Sequence, residues 1–167
     1  AKTVSILAWS TGCFIKQHLR KEGVKYPHLF LVGEAGSGKS TTLESVLLPL
    51  FSSTKIMAAT QITAFTLMKE AASSNTIPLQ LDEFKPSKMD KLKLNILYNH
   101  FRDAYDGHEG VRGRADQSVV SYELLAPLIV AGEESPDEAA IRERSIELLF
   151  TKKDLKDKNH RTSEERR

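Results

Sequence analysis

Residues 33–40 read Gly-Glu-Ala-Gly-Ser-Gly-Lys-Ser, and they stand between the apolar run His28-Leu-Phe-Leu-Val32 and a helical pattern that opens at Lys39. No other segment restricts the fold as tightly. Five apolar-rich residues bounded by Pro27 and Gly33 predict a short strand buried on both faces, as in a parallel sheet. The glycines of a G-x-x-x-x-G-K-[ST] pattern let the backbone curl so that successive N–H groups face one anion, and the helix behind them adds its positive end. Residues Gly33, Glu34, Ala35, Gly36, Ser37, Gly38, Lys39, Ser40 and Thr41 are thus expected to cradle the phosphates of a nucleotide, ATP. Lys39 reaches the β- and γ-phosphates, and the Ser40 hydroxyl supplies one ligand to Mg²⁺.

A second segment, Ile77-Pro-Leu-Gln-Leu-Asp82-Glu83, is an apolar run ending in two carboxylates. Ligands of open α/β sheets bind beyond the carboxyl ends of the strands. Asp82 is therefore expected beside the phosphate loop, contacting the Mg²⁺ shell through water. Glu83, one residue further, is placed to orient or deprotonate an attacking water. Adjacent carboxylates favour hydrolysis over phosphoryl transfer to a small acceptor.

The remaining pattern fits this frame. The 167 residues suit one domain able to bury a sizeable core. Helical spacing is read over 3–22, 39–48, 61–72 and 87–105, the last expected to be capped by Ser87. Short strands are read over 55–58, 77–81, 127–131 and 145–150, with a short helix started by Ser135 and Pro136. Interleaved strands and helices imply crossovers and a mainly parallel sheet of five strands in an α/β/α sandwich. The first helix carries two apolar stripes, Val4, Leu7, Phe14 and Ile6, Trp9, Cys13, which predicts deep burial or a neighbour. Residues 1–151 form the expected domain, with 1–26 as a leading helix and 152–167 as a charged tail.

Charge excludes a generic basic nucleic-acid binder. The tail holds seven basic and four acidic residues, and since the whole chain is +2, the body sums to −1. Cys13 is the only cysteine, which excludes an internal disulfide and a Cys-based zinc site. No apolar run approaches the roughly 18 residues that cross a bilayer, and no export signal opens the chain, so a cytoplasmic location is expected. Without an initiator Met, a longer polypeptide is also expected.

The order of strand, Walker A loop, Walker B Asp82-Glu83, a further strand with a polar tip and an Arg before the last strand resembles the additional-strand catalytic-glutamate class of P-loop ATPases. Within it the chain is similar to AAA+ and superfamily 3 helicases and to primase-helicase proteins of phages and integrative elements, over roughly residues 28–150. The resemblance implies a RecA/AAA+-like P-loop NTPase core. It also implies a sensor of γ-phosphate at the tip of the 127–131 strand, where this chain offers Glu133, Glu134 or Ser135 in place of the usual Asn or Thr. Arg142 and Arg144 correspond to the region of an arginine finger that completes a neighbour's site, and Arg144, closer to the strand, is favoured. His108, Arg112 and Arg114 lie in a glycine-marked segment, 108–122, that resembles the DNA-gripping hairpin of superfamily 3 helicases.

The expected function is that of an ATP-hydrolysing motor of a DNA helicase or primase-helicase, working on single-stranded DNA as a homo-oligomeric ring, a hexamer. The alternative is an ATP-dependent switch that assembles on a protein partner without nucleic acid, and a small-molecule kinase ranks third. Lys85, Lys88, Lys91 and Lys93 read as a solvated helix face.

Overall fold

A computed structural model of the chain describes residues 2–53, 55–113 and 119–153, with Arg112 described by its backbone alone. Strand β1 (His28–Gly33) is buried along its whole length except at Gly33, as its unbroken apolar run requires. It lies between β6 (Leu128–Gly132) and β7 (Ser145–Phe150), parallel to both. Strand β3 (Leu79–Phe84) pairs with the far side of β6, and the two-residue β2 (Met57–Ala58) closes that edge. The sheet order is β2-β3-β6-β1-β7, with every pairing parallel.

Successive residues of a strand face opposite sides, so β1 feeds two cores. Leu29 and Leu31 pack with Ile6, Trp9 and Cys13 of α1 (Lys2–Lys21) and with Leu43 and Leu47 behind the phosphate loop. Phe30 and Val32 pack on the other side with Leu67 of α4 (Ala64–Ala71) and Leu97, Tyr98 and Phe101 of α5 (Lys91–Asp106). The result is the expected three-layer α/β/α sandwich around a five-stranded parallel sheet. Strands β4 (Glu109–Gly113) and β5 (Val119–Glu123) form a separate antiparallel hairpin, where Gly110 faces Met68 so closely that a Cβ would stand 2.7 Å from its sulfur. Gly110 is a packing glycine within a strand.

Several local expectations are corrected. The helix after the phosphate loop ends at Leu50, one residue past Pro49, but it is not uniform: α2 (Lys39–Thr42) passes through a π-helical turn (Leu43–Leu47) into α3 (Leu48–Leu50). A proline lacks the N–H that the α-helical ladder needs, and a wider turn accommodates the loss. Asp90, not Ser87, caps α5, its carboxylate accepting from the N–H of Leu92 and Lys93. Ser135 caps nothing; its hydroxyl donates to Glu147 at 2.8 Å, and the short helix α6 (Ala139–Arg142) starts three residues beyond Pro136. Of the two stripes on α1, Ile6, Trp9 and Cys13 are buried, whereas Val4, Leu7 and Phe14 remain exposed. Cys13 is fully buried, which pushes its thiol up to about 12 and makes it a packing group. Burial likewise pushes His28 down to about 4 and His100 to about 3, so both imidazoles sit neutral in the core.

Strand β3 also runs further than its apolar pattern, to Phe84, because it carries one extra residue against β6. Leu81 pairs with Val130 and Phe84 with Gly132, three residues against two. The bulge puts Glu83 in the left-handed region at φ 61°, costly for a side chain with a Cβ. Gly132 is required opposite it, since a Cβ there would lie 2.0 Å from the Phe84 carbonyl oxygen. Gly132→Ala is expected to destabilise the fold by about 2–3 kcal/mol through this overpacking. A thermal melt checks it: Tm should fall by roughly 5–10 °C, and an unchanged Tm would show that the tips of β3 and β6 can part freely.

Candidate nucleotide site

The sheet register sets the site. Val32 pairs with Gly132 and Gly132 with Phe84, so the carboxyl ends of β1, β6 and β3 are level. From the first tip springs the loop 33–40; from the third come Asp82 and Glu83; Glu133 follows the tip between them. Adjacent strands lie about 4.8 Å apart, so the loop and the two acids face each other across about 10 Å. That gap suits a phosphate chain and a hydrated cation. The sequence placed Asp82 beside the loop but did not show that β6 stands between their strands.

The loop is shaped by its glycines. Gly36 and Gly38 have φ of 74° and 93°, which only glycine adopts without strain. A Cβ on Gly33 would meet the Phe150 carbonyl at 2.1 Å, so this residue permits the close approach of the β1 and β7 tips. Lys39 is 7% exposed, and its Nζ donates to the carbonyls of Gly33 at 2.7 Å and Glu34 at 2.9 Å. Burial lowers its pKa, opposed by Asp82, Glu133 and Glu34. Those opposing carboxylates come from the loop and both neighbouring tips, so the acids converge on the loop lysine. Ser40 and Thr41 are exposed at the start of α2.

Asp82 is partly buried, and one of its oxygens accepts from the Glu83 N–H at 2.7 Å. The bulge sends Glu83 outward into solvent, where its carboxylate accepts from the Thr60 hydroxyl at 3.5 Å. The donor set fits Mg²⁺ with a triphosphate: one hydroxyl and one carboxylate suit an ion that keeps water and phosphate oxygens as its other ligands. Among the described residues no three His, Cys, Asp or Glu side chains cluster as a metal cage.

The other sequence candidates divide. Glu133 sits in the site, paired with Lys85, and Glu134 accepts from the Ser87 N–H at 3.0 Å and hydroxyl at 2.5 Å. Ser135 is turned to Glu147. Lys85 therefore lies not on the helix but in the turn just beyond β3, where it stays partly exposed and pairs with Glu133; the sequence marked it only as one lysine in a run. Lys93, exposed on α5 as expected, donates to the Thr60 carbonyl at 2.6 Å.

Arg144 lies at the other end of the sheet. It precedes Ser145, which pairs with His28 at the start of β1, about 17 Å of strand from the tips. Its guanidinium donates to the Ala140 carbonyl at 2.7 Å, stands 3.6 Å from Asp106 and lies over the Tyr105 ring at 5.5 Å. The nearby Glu138 pairs instead with Arg102. Arg142 donates to the carbonyls of Pro136 and Asp137 at 2.7 and 3.1 Å. A cavity of about 300 Å³, lined by Lys16, Arg20, Lys25 and Asp106, opens at this same end and not at the loop.

In the hairpin, Arg112 pairs in register with Val120, while Arg114 lies outside the described residues. The His108 side chain is 68% exposed and stands 3.3 Å from Asp103. Val111 and Val119 are exposed, and Tyr122 packs edge-on against Phe65 of α4 at 6.4 Å.

The architecture is that of a P-loop NTPase core. No family model and no curated protein matches the sequence. Among solved structures, two point variants of RuvB from Thermotoga maritima are similar, each at 17% identity with a TM-score of 0.46. The matches cover 82% and 83% of this chain but 42% and 43% of those chains. The chain thus spans less than half the length of these proteins. No helix among the described residues is long and apolar enough to cross a membrane.

Proposed function

We propose that the chain is an ATP-binding and ATP-hydrolysing motor module of the additional-strand catalytic-glutamate class, acting as a homo-oligomeric ring on single-stranded DNA. One observation carries the nucleotide reading: the phosphate loop and the Asp82-Glu83 pair rise from level strand tips with a further strand between them. In this reading the loop N–H groups and Lys39 bind the phosphates, while Ser40 and Asp82 hold Mg²⁺, which screens their charge. Glu83, lifted out of the sheet by its bulge, accepts a proton from the attacking water or orients it. Arg144 belongs to the end of the sheet remote from its own loop, so its use in hydrolysis is in trans, at a neighbour's site. A head-to-tail contact of that kind closes into a ring when its rotation permits.

The DNA reading is supported by the hairpin, which stands outside the main sheet with two exposed valines and carries Arg112. ATP turnover of the full chain with Mg²⁺, measured with and without single-stranded DNA, tests it. DNA should stimulate turnover and bind with a steep salt dependence, and the double change Arg112→Ala with Arg114→Ala should weaken DNA binding alone. The exposed Val4, Leu7 and Phe14 on α1 favour a second reading, a switch on a protein partner. An ATPase indifferent to DNA would decide for it.

A further inference from the structure

Between the tips of β3 and β6 lies a polar bridge that no sequence motif marks. Lys85, the first residue beyond β3, pairs its ammonium with Glu133, the first residue beyond β6. Two residues on, Ser87 is bound through both its N–H and its hydroxyl to Glu134. The two tips are stapled side by side. Glu133 also faces the phosphate loop: Lys85 first, then Lys39 and Lys88, hold its carboxyl below the usual range. Lys39 and Lys85 thus act on one shared carboxylate. The pair is open to solvent, at 27% for Lys85 and 41% for Glu133, and an ion pair so exposed is weak and readily exchanged.

We propose that Lys85 reads the γ-phosphate of bound ATP, exchanging Glu133 for the terminal phosphoryl oxygens; this deepens the nucleotide reading above and rests on it. The physical argument is electrostatic. A phosphate chain seated on Lys39 brings negative charge to the ground Glu133 occupies, and it repels that carboxylate while attracting the ammonium beside it. A diphosphate lacks the third phosphoryl group and brings less negative charge to the pair. The exchange alters only the state with a third phosphate, so it is differential binding between ATP and ADP, which any ligand-driven shift requires. Because Ser87 and Glu134 tie the 85–88 turn to the β6 tip, movement of Lys85 is passed to the loop that opens α5. Lys85 is then the cation of a sensor whose expected polar residue, Asn or Thr, is missing from this strand tip.

The test is equilibrium binding of ATP and of ADP, each with Mg²⁺, to the 167-residue chain and its variants. The unaltered chain should prefer ATP. Lys85→Met should weaken ATP by about 10- to 100-fold, the loss of one charge-assisted hydrogen bond, and leave ADP affinity within about twofold. Lys85→Arg should keep part of the preference, and Glu133→Gln, which frees the ammonium, should keep or raise it. A melting curve for each variant confirms that the fold is retained, as expected for a surface side chain. Equal loss of ATP and ADP in Lys85→Met, an unchanged preference, or no preference in the unaltered chain would each overturn the sensor. Failure of the unaltered chain to bind either nucleotide would overturn the nucleotide reading itself.

Discussion

Glu83→Gln is expected to lower ATP turnover by about 10²- to 10⁴-fold while leaving the affinity for MgATP unchanged. A positioned general base contributes in that range. The amide keeps the size of the side chain and its contact with Thr60; it cannot accept the proton. The backbone supports the assignment, because a left-handed glutamate at a bulge is a costly conformation that the fold maintains at the strand tip facing the loop. Single-turnover hydrolysis alongside nucleotide binding separates the two quantities. Turnover within a few fold of the unaltered chain would remove Glu83 from the chemistry. An equal loss of binding would make it a structural residue.

Arg144→Ala is the second large effect, with a loss of about 10³- to 10⁵-fold in assembled rings if it stabilises transition-state charge in a neighbour's site. The geometry makes the prediction specific. Arg144 and the phosphate loop sit at opposite ends of the same strands, so a subunit cannot use its own arginine. Mixing Glu83→Gln subunits with Arg144→Ala subunits should therefore restore part of the activity, because some interfaces pair an intact glutamate with an intact arginine. Verified mixed rings without recovery would reject the role. In the isolated chain Arg144 is occupied by Asp106, the Ala140 carbonyl and the Tyr105 ring. An active trans site requires it to leave Asp106, and Asp106→Asn should make that departure easier without touching the nucleotide loop.

Much of this was legible in the residues alone. The β1 strand, the glycine loop and the amphipathic α5 follow from local chemistry: burial on both faces, left-handed backbone at Gly36 and Gly38, and apolar residues at helical spacing. Where reading failed, a distant partner had decided the outcome. Ser87 and Ser135 look like helix caps within their own segments, yet Glu134 and Glu147 claim their hydroxyls across the fold. Lys85 reads as one lysine among four, and only the meeting of two strand tips gives it Glu133.

By itself the sequence determined that a glycine-curled loop follows a buried strand and that a pair of acids ends another, because those features depend on neighbours within a few residues. Tertiary structure alone decided that β6 separates the two, that a bulge turns Glu83 outward while Gly132 packs on the Phe84 carbonyl, and that Arg144 faces away from its own loop. These depend on strand order and register, which arise from contacts between residues far apart in the chain and so leave no local pattern to read.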